Sequence, residues 1–355
     1  MKTKHSRGFT LVEVMVALAI GALLLSGIVQ VFISLKRTDR VALALSRVQE
    51  AGRTAVDTLA YDFRMIGYKG CADPAIVENI NIIANPAPTT DFIQTSLRGF
   101  DVTANNWSAG NADLTPIDGA ATKQARLNSD VISIMRASET SAGLDEHDNN
   151  NGNVFVLSNP LNLSKDDIAI VSDCDSMDIF KITNVQNNGG RIQFAHGMGT
   201  NTNNKLSKPY TDENAKLMTF IANTYFVGDT GRKNSNGDII YALYRRNLAG
   251  TVDEIVEGVE NVQITYGHTF VNGNRRFISA STAGLDMTQV TSIKFSVLVS
   301  SNDRVLENTD SFVYPMSGAN AQPASSGGAI TYADDRRLRK VFNMTVNLRN
   351  RRVSI

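Results

Sequence analysis

MKTKHSRGFTLVEVMVALAIGALLLSGIVQVFISL, residues 1–35, decides how the rest of the chain is read. Lys2, Lys4 and Arg7 form a short basic head that ends at Gly8, and beyond it the only charge before Lys36 is Glu13. The 22 residues from Val14 to Leu35 are uncharged. At about 1.5 Å each they make a helix of roughly 33 Å, long enough to cross the hydrocarbon core of a bilayer. The basic head fixes the preceding end on the cytoplasmic side. A secretory signal is also basic then apolar, but it closes on a small-residue site after the apolar run, and no clean site of that kind precedes Lys36. A cut between Gly8 and Phe9 would instead remove the charges and keep the apolar segment. That is a poor design for a signal and a sensible one for an element of assembly.

Gly8-Phe9-Thr10-Leu11-Val12-Glu13, followed by such a run, resembles the prepilin signature of type IV pilins and type II secretion pseudopilins. The resemblance implies a prepilin peptidase that cuts after Gly8, N-methylation of the new terminal Phe9, and a part in subunit packing for Glu13. A plain single-span anchor is the bland alternative.

Without leader and helix, about 300 residues remain, enough for one large domain or two small ones. The formal charge is +0, with 35 basic and 35 acidic residues, and removal of the three leader cations leaves the mature chain slightly acidic. Nothing in that balance draws the chain towards nucleic acid. The two cysteines, Cys71 and Cys174, lie beyond the membrane segment. In an oxidising compartment such a pair is most simply a disulfide, and their separation is too wide for a compact metal motif.

The helix is expected to continue past the membrane. Val41, Leu45, Val48, Gly52, Ala55, Leu59, Phe63 and Ile66 recur every three or four residues, while Arg37, Asp39, Arg40, Arg47, Glu50, Arg53 and Asp57 take much of the remainder. Gly67, Gly70 and Pro74 then end it. Gly21 and Gly27 read as close-packing positions between helices. The chain thus divides into a leader (1–8), a hydrophobic transmembrane and assembly helix (9–35), an amphipathic second half (36–66) and a β-rich periplasmic globular domain (67–355).

Residues 79–128, rich in Asn, Thr, Gly and Pro and holding Trp107, read as a long surface loop region. After Asn128 short runs rich in Val, Ile, Phe, Tyr and Thr alternate with Asn/Gly/Asp turns. In the last of them Phe342, Met344, Val346 and Leu348 alternate with Asn343, Thr345 and Asn347, one dry face and one wet. A long helix followed by antiparallel strands is an α+β order, the helix packing on the sheet.

Catalytic signals are sparse. His147, His196 and His268 have no partner at a recognised spacing, and Gly197-x-Gly199 lacks the rest of a phosphate cradle. The loops 145–152 and 234–238 offer oxygen-bearing side chains and a glycine, but not the spacing of a calcium loop. Neither an enzyme, a cofactor nor a metal is expected. Arg336, Arg337, Arg339, Lys340, Arg349, Arg351 and Arg352 crowd the end of the chain. They are expected to flank an exposed strand and guard it against aggregation, a basic surface for an acidic subunit or for DNA being the less favoured alternative.

Tyr61-Asp62-Phe63-Arg64, Gly67-Tyr68-Lys69-Gly70-Cys71, and segments 256–267, 291–300 and 339–351 resemble those of PilW minor pilins. The resemblance implies a low-abundance, non-enzymatic pilin in the inner membrane, its domain in the periplasm. It would join other minor pilins and the major pilin, through the pilus assembly machinery, in a complex that primes or caps the pilus. A J-type pseudopilin of type II secretion is the runner-up, and a tip module binding a surface or DNA the third reading.

Overall fold

Thr10 opens a helix of 54 residues, α1 (Leu11–Arg64), in this computed structural model, which describes residues 10–71, 80–89, 92, 96–102, 124–211, 213–270 and 273–351. The helix is about 81 Å long. Its buried positions begin only at Ala44 and continue with Val48, Gly52, Ala55, Leu59 and Phe63, the three- and four-residue spacing of one apolar face. Ala44 is buried where Leu45 was expected, and Leu45 stays 37% exposed. Arg64 is the last helical residue and Met65 caps the end. Gly67, one of the expected breakers, lies in the turn that follows and takes a positive φ.

Among the described residues eighteen strands follow, in three sheets. The large sheet contains β1 (Ile80–Ile82), β2 (Leu97–Phe100), β3 (Val131–Asp148), β4 (Asn153–Val156), β5 (Ile168–Ser172), β6 (Met177–Lys181), β7 (Asn184–Asn188), β8 (Arg191–Ala195), β9 (Lys216–Lys233), β10 (Ile239–Asn247) and β11 (Val252–Glu257). The next strands are β12 (Val259–Thr269), β13 (Arg275–Ile278) and β14 (Val290–Arg304). A small sheet of β15 (Tyr314–Pro315), β16 (Asn320–Pro323) and β17 (Ile330–Tyr332) intervenes before β18 (Arg337–Asn347). The four-stranded sheet runs β13-β12-β14-β18, antiparallel throughout. Pairing is antiparallel elsewhere too, apart from β1 with β6 and β16 with β17. With one long helix ahead of these sheets, the fold is α+β.

The second half of α1 lies on the four-stranded sheet. Phe63 meets Phe295 of β14 edge to face, with ring centroids 5.2 Å apart, a pair that adds about 0.5–1.5 kcal/mol to the burial of the two rings. Gly52 is needed about three turns earlier, because any Cβ there would run into the ring of Phe342. The alternation read in the last strand holds: Val346 and Leu348 are buried, Phe342 and Met344 half-buried, and Asn343, Thr345 and Asn347 exposed. One residue, Gly258, carries the chain from the large sheet into the four-stranded one. Its φ is 86°, its N–H donates to the Tyr241 carbonyl and its carbonyl accepts from Ser300, both at 2.8 Å.

Residues 79–128 are not wholly loop. β1 and β2 lie there, and Ile83, Ala84 and Phe92 are buried. The apolar runs are too short to show a period, and each strand exists only through a distant partner, β1 on β6 and β2 on β3. Trp107 and Pro74 lie outside the described residues.

Candidate functional site

Among the described residues nothing outside the helix covers the apolar half of α1. Leu11, Leu18 and Leu23 are 77%, 68% and 73% exposed, and the most hydropathic stretch of the helix is 0% buried. Gly21 and Gly27 have open space around them, as close-packing positions on an uncovered helix would. Gly8 and Phe9 lie outside the described residues. Glu13 is described and has a local duty: its Oε2 accepts from the Thr10 N–H at 2.9 Å and the Thr10 hydroxyl at 3.1 Å, while its own N–H donates to Thr10 Oγ1 at 3.3 Å. This is a capping box, two free helix donors satisfied reciprocally. The pattern Thr10-x-x-Glu13 was legible in the sequence, which had suggested only an assembly role for the carboxylate.

At the other end of the helix an acid that periodicity did not single out holds helix to sheet. Asp62 is buried and accepts from Arg136 Nη2 and Asn223 Nδ2 at 2.9 Å each and from the Tyr225 hydroxyl at 2.6 Å. Burial, and the carboxylate beside it, push the Tyr225 phenol well above its usual range. These groups floor a groove of about 1090 Å³ between α1 and β9. Its described lining mixes Asp57, Asp166 and Asp167 with Lys181 and Arg245 and contains no histidine, cysteine or serine; Lys181 is held by Asp166 at 3.3 Å.

Cys71 and Cys174, distant in sequence, are neighbours. The structure holds them as exposed free thiols. Local burial, then a hydrogen bond with the Cys174 thiol and that group's charge when ionised, push the Cys71 thiol up to about 11.

The crowded basic end is only partly a surface. Arg337 and Arg339 are buried: both bind Glu260 of β12 at 3.0 Å, and Asp335 takes Arg337 at 2.7 Å and Arg339 at 2.9 Å. Burial raises the Glu260 carboxyl, but the two guanidiniums outweigh it and hold the group at about 2. The expectation of seven arginines and lysines guarding an exposed strand is therefore corrected: inward-facing positions of β18 alternate, and two of them use charge to tie β18 to β12. Arg336, Lys340 and Arg349 are exposed, and Arg352 lies outside the described residues.

The two candidate calcium loops are organised by their own side chains. Asp148 accepts from the N–H groups of Asn150 and Asn151, and Asp145 pairs with Arg191 at 2.7 Å. Asn234 Oδ1 takes the N–H groups of Asn236 and Asp238, while Asp238 faces Arg304. Among the described residues no three of His, Cys, Asp and Glu converge as a metal would require. His147 and His196, unrelated by spacing, stand 6.0 Å apart ring to ring. His147 Nδ1 accepts the Tyr210 N–H at 2.8 Å. His196 is fully buried against Phe180, both ring nitrogens without a hydrogen-bond partner. Burial, reinforced by His147, lowers it to about 4.

Residues 224–350 match the family of type IV pilus-assembly protein W, and residues 3–29 match the prokaryotic N-terminal methylation motif. The first match contains all four strands of the sheet that carries α1, and the second ends within its exposed half. No curated protein matches the chain, and no solved structure does.

Proposed function

We propose that the chain is a type IV pilin of the PilW kind, as its two family matches support, and that it is a minor pilin that joins other minor pilins and the major pilin to prime or cap the pilus. One observation carries this: the apolar half of α1 stands free of its own domain, 0% buried over its most hydropathic stretch. A surface of that kind requires lipid before assembly and neighbouring helices after it. The described domain supports the helix through Phe63, Gly52 and Asp62, which suits a structural role.

On this account the prepilin peptidase frees Phe9, the inner membrane holds the chain with its domain in the periplasm, and extraction into the pilus brings Glu13 to a neighbour. Cys71 and Cys174 form a disulfide in that compartment. The test is purification of the full chain from membranes of its host. Co-purification with other pilins, lost when residues 9–35 are replaced by an unrelated single span, is expected. A chain that purifies alone, or keeps its partners after the replacement, contradicts the proposal.

A further inference from the structure

β14 descends along the helix while β18 climbs it. β14 starts beside the helix end, where Leu348 N–H donates to the Thr291 carbonyl at 2.8 Å and Asn350 Nδ2 to the Arg64 carbonyl at 3.2 Å. It finishes at Arg304, which shares a groove with Arg40, Ala44 and Arg47 of α1. The chain then enters a loop, residues 305–313, at the foot of the domain. The N–H groups of Val305 and Leu306 donate to the Arg336 carbonyl at 2.9 Å, and Asp310 N–H donates to the Asp335 carbonyl at 2.8 Å, so both arms of the loop hang from the same short segment. Between them Glu307 accepts from Arg37 at 2.9 Å. Arg37 lies two residues beyond Leu35, the end of the uncharged stretch, about 3 Å along the helix axis. The ion pair therefore sets the loop at the level where the helix leaves the bilayer.

The loop carries apolar side chains outward on a well-held backbone. Phe312 and Val313 are 62% and 45% exposed. The Phe312 N–H donates to the Asp310 carboxylate at 3.1 Å, its carbonyl accepts the Tyr332 hydroxyl at 2.6 Å, and its ring is backed by Tyr314 at 4.9 Å. Aromatic groups with polar neighbours are favoured at the headgroup level of a membrane, and exposed Lys36, Arg40 and Arg336 at this end of the domain suit the phosphates there. Phe277, also exposed, sits on β13, which pairs with the distal end of β12.

We propose that residues 305–313 form a membrane-surface contact, Phe312 and Val313 entering the headgroup region of the phospholipid leaflet beside the domain while the subunit is unassembled. The contact rests on α1 spanning that bilayer. It would hold the domain in one orientation on the membrane, and leaving for the pilus would expose the two side chains.

The test uses the full chain reconstituted in phospholipid vesicles, with the native Trp107 replaced (Trp107→Phe) and one tryptophan added, Phe312→Trp, Val313→Trp or the control Phe277→Trp. Flotation with the vesicles first establishes that the helix is inserted. Lipids carrying a spin label at a shallow acyl position are then expected to quench Trp emission at 312 or 313 at least twofold and leave the 277 control unchanged, with aqueous iodide giving the reverse order. Flotation without lipid quenching at either position, with free access to iodide, overturns the contact while leaving the membrane span intact. Protection from both quenchers that depends on protein concentration shows a second copy covering the loop and also overturns it. A chain that fails to float removes the span and the contact together.

Discussion

The Asp62 carboxylate lies 2.9 Å from the Arg136 guanidinium, their side chains only 6% and 8% exposed, so the last turn of α1 is tied to the first part of β3. Asn223 and Tyr225 of β9 complete the set. Removing one partner of such a pair strands the other charge out of water. Asp62→Ala is expected to cost about 3–5 kcal/mol, read as a shift in urea midpoint of the folded domain. A loss below about 1 kcal/mol would show that the junction depends on the apolar face alone.

Acid should loosen the lobe that holds His196. Its folded pKa, about 4, lies below its ordinary 6.5, so the stabilising contribution is complete above about 6.5 and is lost as the pH falls towards 4. His147 faces it from β3 and is lowered by burial in the same direction, and Asp178 reaches the pair through Tyr210. Asp130, raised to about 8 by burial, contributes with the opposite sign across an overlapping range, so the wild type must be compared with His196→Leu. The variant is expected to lose less stability between pH 6.5 and 4.5. Parallel pH profiles would remove His196 as a source of acid lability.

The juxtaposed thiols predict a bond in exported protein. Closing a loop of about 100 residues between Cys71 and Cys174 contributes up to about 4.7 kcal/mol in the chain-entropy model. Thiol labelling of periplasmic material in denaturant without reductant should find no free sulfhydryl. Two reactive thiols would show that proximity here is not bonding.

What the sequence made legible was what repeats locally: the uncharged run, the three- and four-residue face of α1, and the alternation of Phe342 to Leu348. Asp62, Arg337 and Arg339 were not legible, because a charged residue on a helix or strand reads as solvated until its partner is known. The partners of Asp62 come from strands far along the chain, on β3 and β9, and Glu260 comes from β12. The histidine pair was hidden because its members share no recognised spacing and meet only through the fold, whereas the nearness of Cys71 and Cys174 was expected from there being two cysteines in an exported domain. Thr10 was different: its capping pattern with Glu13 lay in view beside the prepilin signature.

Glu13 has two tasks to separate, a cap within the chain and a charge for a neighbour. Glu13→Ala removes both, and with them the Glu13 half of the capping box, whereas Glu13→Gln keeps an acceptor for Thr10 and loses the charge. Both variants are expected to insert and to be cleaved normally, and both to be depleted from pili. Full incorporation of Glu13→Gln would reduce the residue to a helix cap.

Processing and assembly meet at one terminus. Mass spectrometry of this chain recovered from sheared, purified pili measures both at once. The account predicts that the chain is present in that fraction, begins at Phe9 and carries a methyl group on the Phe9 nitrogen. A chain that retains Met1, that starts beyond Leu35, or that is absent from the pili would contradict it.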